Sequence, residues 1–106
     1  MEKINQKKLC PFSNAMELIG GKWKTVLLYH LMSGKKRYSE LQRLAARASD
    51  RMLSRSLKEL EADGLVLRQV FAEVPVRVEY SLTQDGASLV PILNAMGEWG
   101  SNRKHQ

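Results

Sequence analysis

The sequence has a single cysteine, Cys10, and two histidines among its 106 residues. One cysteine excludes an internal disulfide framework, and no cluster of cysteine and histidine has the spacing of a zinc site. We therefore expect a reduced, cytoplasmic setting and no bound metal.

Long hydrophobic runs and nucleotide-binding motifs are also missing. No apolar stretch approaches the ~20 residues that a transmembrane helix needs, and residues 1–9 are polar and lysine-rich, unlike a signal peptide. Neither a P-loop nor a GxGxxG motif is present. His30 falls in a helix that should be buried, where a satisfied core or interface histidine is more common than a general base. The sequence therefore predicts neither a membrane protein, nor a cofactor-dependent protein, nor an enzyme.

Negative charge is in the minority, and this indicates the kind of partner. There are 17 lysines and arginines against 11 aspartates and glutamates, which gives a net charge of +6. In a small domain such a surplus favours a polyanion, either nucleic acid or an anionic membrane surface. The cations cluster in the helices and hairpin considered next, so we expect nucleic acid.

Apolar periodicity and turn residues predict one mostly helical domain with a small β-hairpin (α+β) over residues 10–100. A polar arm at 1–9 and a polar tail at 101–106 flank it, and both should be loose. Five helices are predicted: 14–19, 23–32, one that begins at 39 and ends at a turn over 46–48, then 50–63 and 83–99. Two strands are predicted at 65–71 and 76–82. Pro91 lies inside the last helix, where it should cause a kink.

Residues 39–82 follow the order helix, tight turn, helix and β-hairpin. This is the order of a winged helix-turn-helix, which places one helix in the major groove of DNA. Ser39 and Gln42 have the spacing of a capping box, and Ser49 can cap the second helix. Two leucines of the first helix should face inward, Leu41 and Leu44.

The helix predicted at 50–63 has two unlike faces. Leucines at i, i+4 and i+7 define a buried stripe, formed by Leu53, Leu57 and Leu60. The opposite face is basic and polar over about two turns, or ~10 Å, which suits a major groove ~12 Å wide. We assign base-edge contacts to Arg51, Ser54 and Arg55, and a phosphate contact to Lys58. For this helix alone a solvated charged face explains the pattern equally well; the turn before it and the hairpin after it favour DNA.

Further basic residues flank this helix along the chain. Arg77, beside the hairpin loop, can approach a minor groove or a phosphate, although an ion pair with Glu73 or Glu79 is the alternative. For Arg68, on the first strand, such ordinary surface pairing is the preferred interpretation. Five further basic residues are expected to contact phosphates with low specificity: Lys35, Lys36, Arg37, Arg43 and Arg47. For each of these residues taken singly, a position in a solvated turn explains the charge equally well.

Cys10 is the remaining reactive group. Near Lys7 and Lys8 and a helix N-terminus, its thiol should have a lowered pKa and raised reactivity. Oxidation could then yield a sulfenic acid, a mixed disulfide with a small thiol, or a bridge between subunits. The alternative, which the residues alone favour, is a small buried hydrophobe beside Pro11 and Phe12.

Several blocks along the chain resemble those of the HxlR-type family, small bacterial transcription regulators related to the MarR winged-helix group. The match extends over nearly all of residues 9–100, and the blocks follow one another in order and at the right spacing: Cys10-Pro11, Ile19 to Lys24, Tyr38 to Leu41, Leu57 to Val66, Val74-Pro75, Arg77 to Thr83 and Glu98-Trp99-Gly100. Two positions depart from the usual pattern. Arg47-Ala48-Ser49 stands where Gly-Ile-Ser is common in the bend, and Val76 stands where a second proline is frequent.

The resemblance implies a homodimer on palindromic operator DNA, and in some members sensing of oxidants or electrophiles through a cysteine at the place of Cys10. The dimer would form through the first and last helices. This agrees with the last predicted helix, which carries more apolar residues than one small core can bury. The expected interface comprises Met16, Ile19, Leu89, Ile92, Leu93, Met96 and Trp99. The sequence identifies no small-molecule inducer. The competing hypothesis is a winged helix that docks onto an acidic protein and has no DNA sequence preference.

Overall fold

A computed structural model describes residues 10–103 of the chain. The arm predicted at 1–9 and the last three residues of the predicted tail lie outside these residues. The elements follow in the order α1 (Pro11–Ile19), α2 (Lys24–Leu31), β1 (Lys36–Arg37), α3 (Tyr38–Leu44), α4 (Asp50–Ala62), β2 (Val66–Phe71), β3 (Arg77–Leu82), α5 (Gln84–Ala87) and α6 (Val90–Ser101). This is the predicted order of a winged helix-turn-helix. No helix within residues 10–103 is long and apolar enough to cross a membrane.

The core lies where α2, α3 and α4 meet the sheet. The predicted stripe of α4 is confirmed, because Leu53, Leu57 and Leu60 are all buried. They pack with leucines of the central helix α2, of which Leu27 and Leu28 have no exposed surface. Burying each leucine contributes about 1.5–3 kcal/mol. The packing therefore holds α4 firmly by one face and leaves the other face outward.

The sheet has three antiparallel strands in the order β1-β3-β2, one more than the predicted hairpin. The additional strand is β1, which pairs Lys36 with Tyr80 and Arg37 with Glu79. Alternate residues of a strand point to opposite faces. Tyr80 is buried and Val78 and Leu82 pack against the core, so this set faces the helices, as their alternation predicted.

Two predictions about α3 were wrong. The helix begins at Tyr38, and its N-terminus is closed by the Glu40 carboxylate, which accepts a hydrogen bond of 2.8 Å from the Arg37 backbone N–H. The predicted pair of Ser39 and Gln42 therefore does not form the box. Leu44 is 46% exposed instead of inward-facing. Leu41 and Ala45, four residues apart and both buried, occupy the inner side of the helix end instead.

The last predicted helix is two helices. Thr83 caps α5 as predicted, since its Oγ1 accepts from the Gly86 N–H at 3.0 Å. The chain then leaves the helix at Ser88 and Leu89, and α6 starts afresh at Val90. Pro91 thus lies in the first turn of α6, where its missing N–H would have no helical partner in any case. A break replaces the predicted kink, and Ser101 still belongs to α6.

Candidate nucleic-acid interface

The helix-turn-helix is held by short polar contacts at the start of α4. Ser49 is its N-cap, as predicted, and the Ser49 hydroxyl accepts from the Met52 N–H at 3.1 Å. Gln42 of α3 donates to the Asp50 carboxylate at 2.8 Å, so the two helices are joined directly. No residue other than glycine among residues 10–103 has a positive φ. Arg47 therefore occupies the bend, where glycine is common in the family, without left-handed backbone.

The four residues predicted to read DNA from α4 lie together on its outer face. Arg51, Ser54, Arg55 and Lys58 are all exposed, opposite the three buried leucines. The Ser54 hydroxyl lies 3.0 Å from the Tyr38 hydroxyl, a polar partner that the sequence did not reveal. The Arg55 side chain is 79% exposed and makes only a loose ion pair, 3.4 Å from the Glu59 carboxylate. Each of the four can therefore reach a ligand that approaches α4 from solvent.

A second basic segment, missed by the sequence reasoning, lies beside α4. Lys24 pairs with Glu59 at 3.1 Å, and this hydrogen bond lowers the pKa of the Glu59 carboxyl. Lys22, in the preceding turn, lies over the Trp23 ring. Both lysines line a groove of about 220 Å³ with Arg51 and Arg55. The available signal was the pair of lysines in the block Ile19 to Lys24, which contributed to the family resemblance but was not predicted to contact DNA.

The structure places Arg77 on the face of the wing that points away from the helices. Its guanidinium pairs with Glu73 at 3.2 Å and with Glu79 at 3.3 Å, and it stacks 4.2 Å from the centre of the Phe71 ring. The side chain is only 27% exposed. The ion pairs with Glu73 and Glu79, which were the alternative to a DNA contact for Arg77, are thus formed. Arg68 was expected to form an ordinary surface ion pair, but it forms none among residues 10–103.

The five residues outside α4 that were predicted to contact phosphate fall into two groups. Lys35 pairs with Glu79 at 3.5 Å, and Lys36 donates to the Ser33 hydroxyl at 2.9 Å. These contacts engage both ammonium groups locally. The other three are exposed and form no ion pair within residues 10–103: Arg37, Arg43 and Arg47.

Cys10 is exposed at the N-cap of α1 and is not a buried hydrophobe. The Ser13 hydroxyl donates to its sulfur at 3.2 Å, and this bond lowers the pKa of the Cys10 thiol from its ordinary value. A lowered pKa increases the fraction of reactive thiolate near neutral pH. The lysines of the arm, also expected to act here, lie outside the described residues.

The predicted dimer interface divides into exposed and buried residues. Met16, Ile92, Met96 and Trp99 are exposed, and the last three line a groove of about 560 Å³ on α6. Ile19 and Leu93 must be removed from the interface, because the protomer's own core buries them; Leu93 is 2% exposed. Leu89 is half-buried against the same core. The predicted residues of the last helix are three or four positions apart and therefore lie near one another on its surface. The sequence alone could not show which of them face the protomer's core and which face a partner.

Comparison with known proteins identifies the group to which this fold and site belong. The HxlR-like helix-turn-helix family matches residues 18–106. The chain belongs to this family. The HTH-type transcriptional regulator YybR of Bacillus subtilis, itself uncharacterized, is 48% identical over 98 residues, which cover 92% of this chain and 78% of YybR.

Solved structures agree with the family assignment. The redox regulator HypR in its oxidized form has a TM-score of 0.85 and 49% identity, over 89% of this chain and 97% of that one. A protein of Porphyromonas gingivalis W83 described as a MarR-family regulator has a TM-score of 0.81 and 37% identity, over 89% and 92% of the two chains. The resemblance and the winged-helix fold inferred from the sequence are thereby confirmed. The protein is a transcriptional regulator of the helix-turn-helix type, and its relatives are named as regulators and not as enzymes.

Proposed function

We propose that this protein regulates transcription as a homodimer on a two-fold symmetric operator, with α4 of each subunit in a major groove. The observation that carries the proposal is the outer face of α4, where Arg51, Ser54, Arg55 and Lys58 are exposed together. They span about two turns, or ~10 Å, against a groove ~12 Å wide. The arginines and Ser54 contact base edges, and Lys58 contacts phosphate.

The exposed apolar side chains of α1 and α6 support the dimer. Trp99 is 62% exposed, and Met96, Ile92 and Met16 are similarly open to solvent. Large apolar patches on a small soluble domain commonly mark an interaction site. A second copy of the chain would cover the patch by a two-fold contact of like surfaces. The two recognition helices would then address half-sites about one helical turn, ~34 Å, apart.

Arg55→Ala is expected to weaken operator binding by about 1–3 kcal/mol and to relax base preference at one position of each half-site. Fluorescence anisotropy at fixed salt, with the DNA upstream of the gene and with single-base variants of it, measures both effects. Lys58→Ala is the comparison variant: a lost phosphate contact should weaken binding equally on all sequences. If Arg55→Ala bound every duplex as the wild type does, the assignment of Arg55 to a base edge would be wrong.

The same titrations test the competing hypothesis of a protein-docking module. A regulator of the proposed kind binds its operator far more tightly than random DNA, typically by 10³-fold or more. Equal affinity for the two duplexes would favour docking onto an acidic protein.

We further propose that Cys10 makes the regulator responsive to oxidants or electrophiles. The exposed thiol, the hydrogen bond from Ser13 and the thiol's lowered pKa favour this role over a structural one. Similarity to a protein described as a redox regulator adds support.

Cys10→Ser is expected to retain operator affinity and to abolish the change in DNA binding that an oxidant such as diamide produces in the wild type. Gel shifts with and without diamide, followed by reduction with dithiothreitol, measure the response. Ser13→Ala serves as a graded control, since it removes the hydrogen bond and should slow thiol alkylation. An undiminished oxidant response in Cys10→Ser would exclude Cys10 as the sensor.

A further inference from the structure

The register of the wing places its two strand arginines on opposite faces of the sheet. Arg68 on β2 lies directly across from Tyr80 on β3, whereas Arg77 lies across from Phe71. Paired residues in an antiparallel ladder share a face. Tyr80 is buried toward the helices, so Arg68 emerges on the side of the sheet that carries α4. Arg77 emerges on the far side.

Arg68 meets the recognition helix in a polar pocket. Ser54, Lys58 and Glu61 of α4 line this pocket of about 340 Å³ together with Arg68 and Tyr80. A water molecule in the liquid occupies ~30 Å³, so the space suffices for a group the size of a phosphate. Two of its lining residues belong to the face of α4 assigned to DNA.

The two cations of the pocket are available for a ligand. Within residues 10–103 neither Lys58 nor Arg68 forms an ion pair, whereas Arg55 and Arg77 do. Glu61 contributes one carboxylate to the lining. Two positive charges against one negative charge leave the pocket net positive, and like charges held close together are stabilised by an anion between them.

We propose that Arg68, together with Lys58, binds a backbone phosphate of the DNA strand that runs between recognition helix and wing. Arg68 would then be the wing's contact to the duplex, and Arg77 would maintain the shape of the wing through its two glutamates. The proposal rests on the DNA binding proposed above and adds a residue that fixes how α4 is seated in the groove. A phosphate contact positions the protein and carries no base preference.

The decisive measurement is the salt dependence of binding by Arg68→Ala. Each neutralised phosphate contributes about 0.9 to the slope of log K against log salt. We expect Arg68→Ala to lose about one phosphate contact per subunit, which lowers the slope by about 0.9 per subunit. Each lost contact should weaken binding roughly five-fold at 0.15 M salt. The loss should be equal on operator and on random duplex. Arg68→Lys, which retains the charge, should keep most of the slope.

Two further variants sharpen the test. Gln69→Ala changes the adjacent exposed residue on the opposite face of β2, across from Glu79, and should leave the slope unchanged. Glu61→Gln removes the carboxylate from the pocket and should strengthen binding to both duplexes. Circular dichroism confirms that each variant is folded before titration.

An unchanged slope in folded Arg68→Ala would overturn the inference, as would a slope reduced by Arg77→Ala and not by Arg68→Ala. Failure of the proposed function has a different signature. In that case the wild type itself would show no preference for operator over random duplex, whatever the slopes of the variants.

Discussion

Met96→Glu is expected to convert the proposed dimer into a monomer. Met96 is exposed on α6, in the apolar groove that also contains Ile92, Ala95 and Trp99. A two-fold interface would bury the new carboxylate twice, without a partner of opposite charge. Leaving one charge buried and unpaired costs about 3–5 kcal/mol, so two copies are enough to dissociate a typical small dimer. Sedimentation equilibrium at micromolar concentration measures the change in mass.

Loss of the dimer should reduce operator affinity at least 100-fold. A dimer presents its second recognition helix at a high effective concentration once the first has bound, and a monomer forfeits this advantage. Asn94→Glu is the matched control, because Asn94 is exposed and lies about 200° around the helix from Met96. It introduces the same charge on the other side of α6, and it should leave the mass measured by sedimentation and the affinity for the operator unchanged. If Met96→Glu stayed dimeric, the partner surface would have to lie elsewhere.

Leu57→Ala is expected to lower the free energy of unfolding by about 2–5 kcal/mol. Leu57 is 1% exposed and lies in the middle of the stripe that fastens α4 to the core. Truncation loses buried apolar surface and leaves a cavity that the surrounding leucines fill only in part. Urea denaturation followed by circular dichroism measures the loss, at one protein concentration because an oligomer's stability depends on concentration.

Leu44→Ala is the control for that measurement. The sequence placed Leu44 inward, but the structure leaves it 46% exposed, so its truncation should change the free energy of unfolding by about 0.5 kcal/mol or less. A loss as large as that of Leu57→Ala would mean that Leu44 is covered in solution.

Local features of this protein follow from local sequence. The leucines at 53, 57 and 60 recur with the period of a helix, so their common face and the opposite basic face could be derived without coordinates. The caps at Ser49 and Thr83 were likewise correct, because a capping hydroxyl needs only the backbone of the next turn. The blocks that resemble the HxlR-type family are also local sequence patterns, and the family that they indicated is confirmed.

Other features depend on distances between segments far apart along the chain. Arg68 and Arg77 look alike in sequence, and only the pairing of β2 with β3 shows which one lies beside α4. A shift of one residue in that register would place Arg68 across from Glu79 or Ser81, on the same face as Arg77. Ile19 and Leu93 likewise have the same apolar character as Met96, and only the packing of the protomer decides which side chains remain for a partner.

From its own residues the chain thus specifies the order of its main helices, the caps at Ser49 and Thr83, one apolar and one basic face on α4, and its family, because each depends on spacings of a few residues. The folded arrangement alone assigns ion pairs to Arg77, leaves Arg68 and Lys58 without ion pairs to other residues of the range 10–103, and exposes Cys10. Those outcomes depend on which neighbours the chain brings together across the sheet and the core, and no local period encodes them.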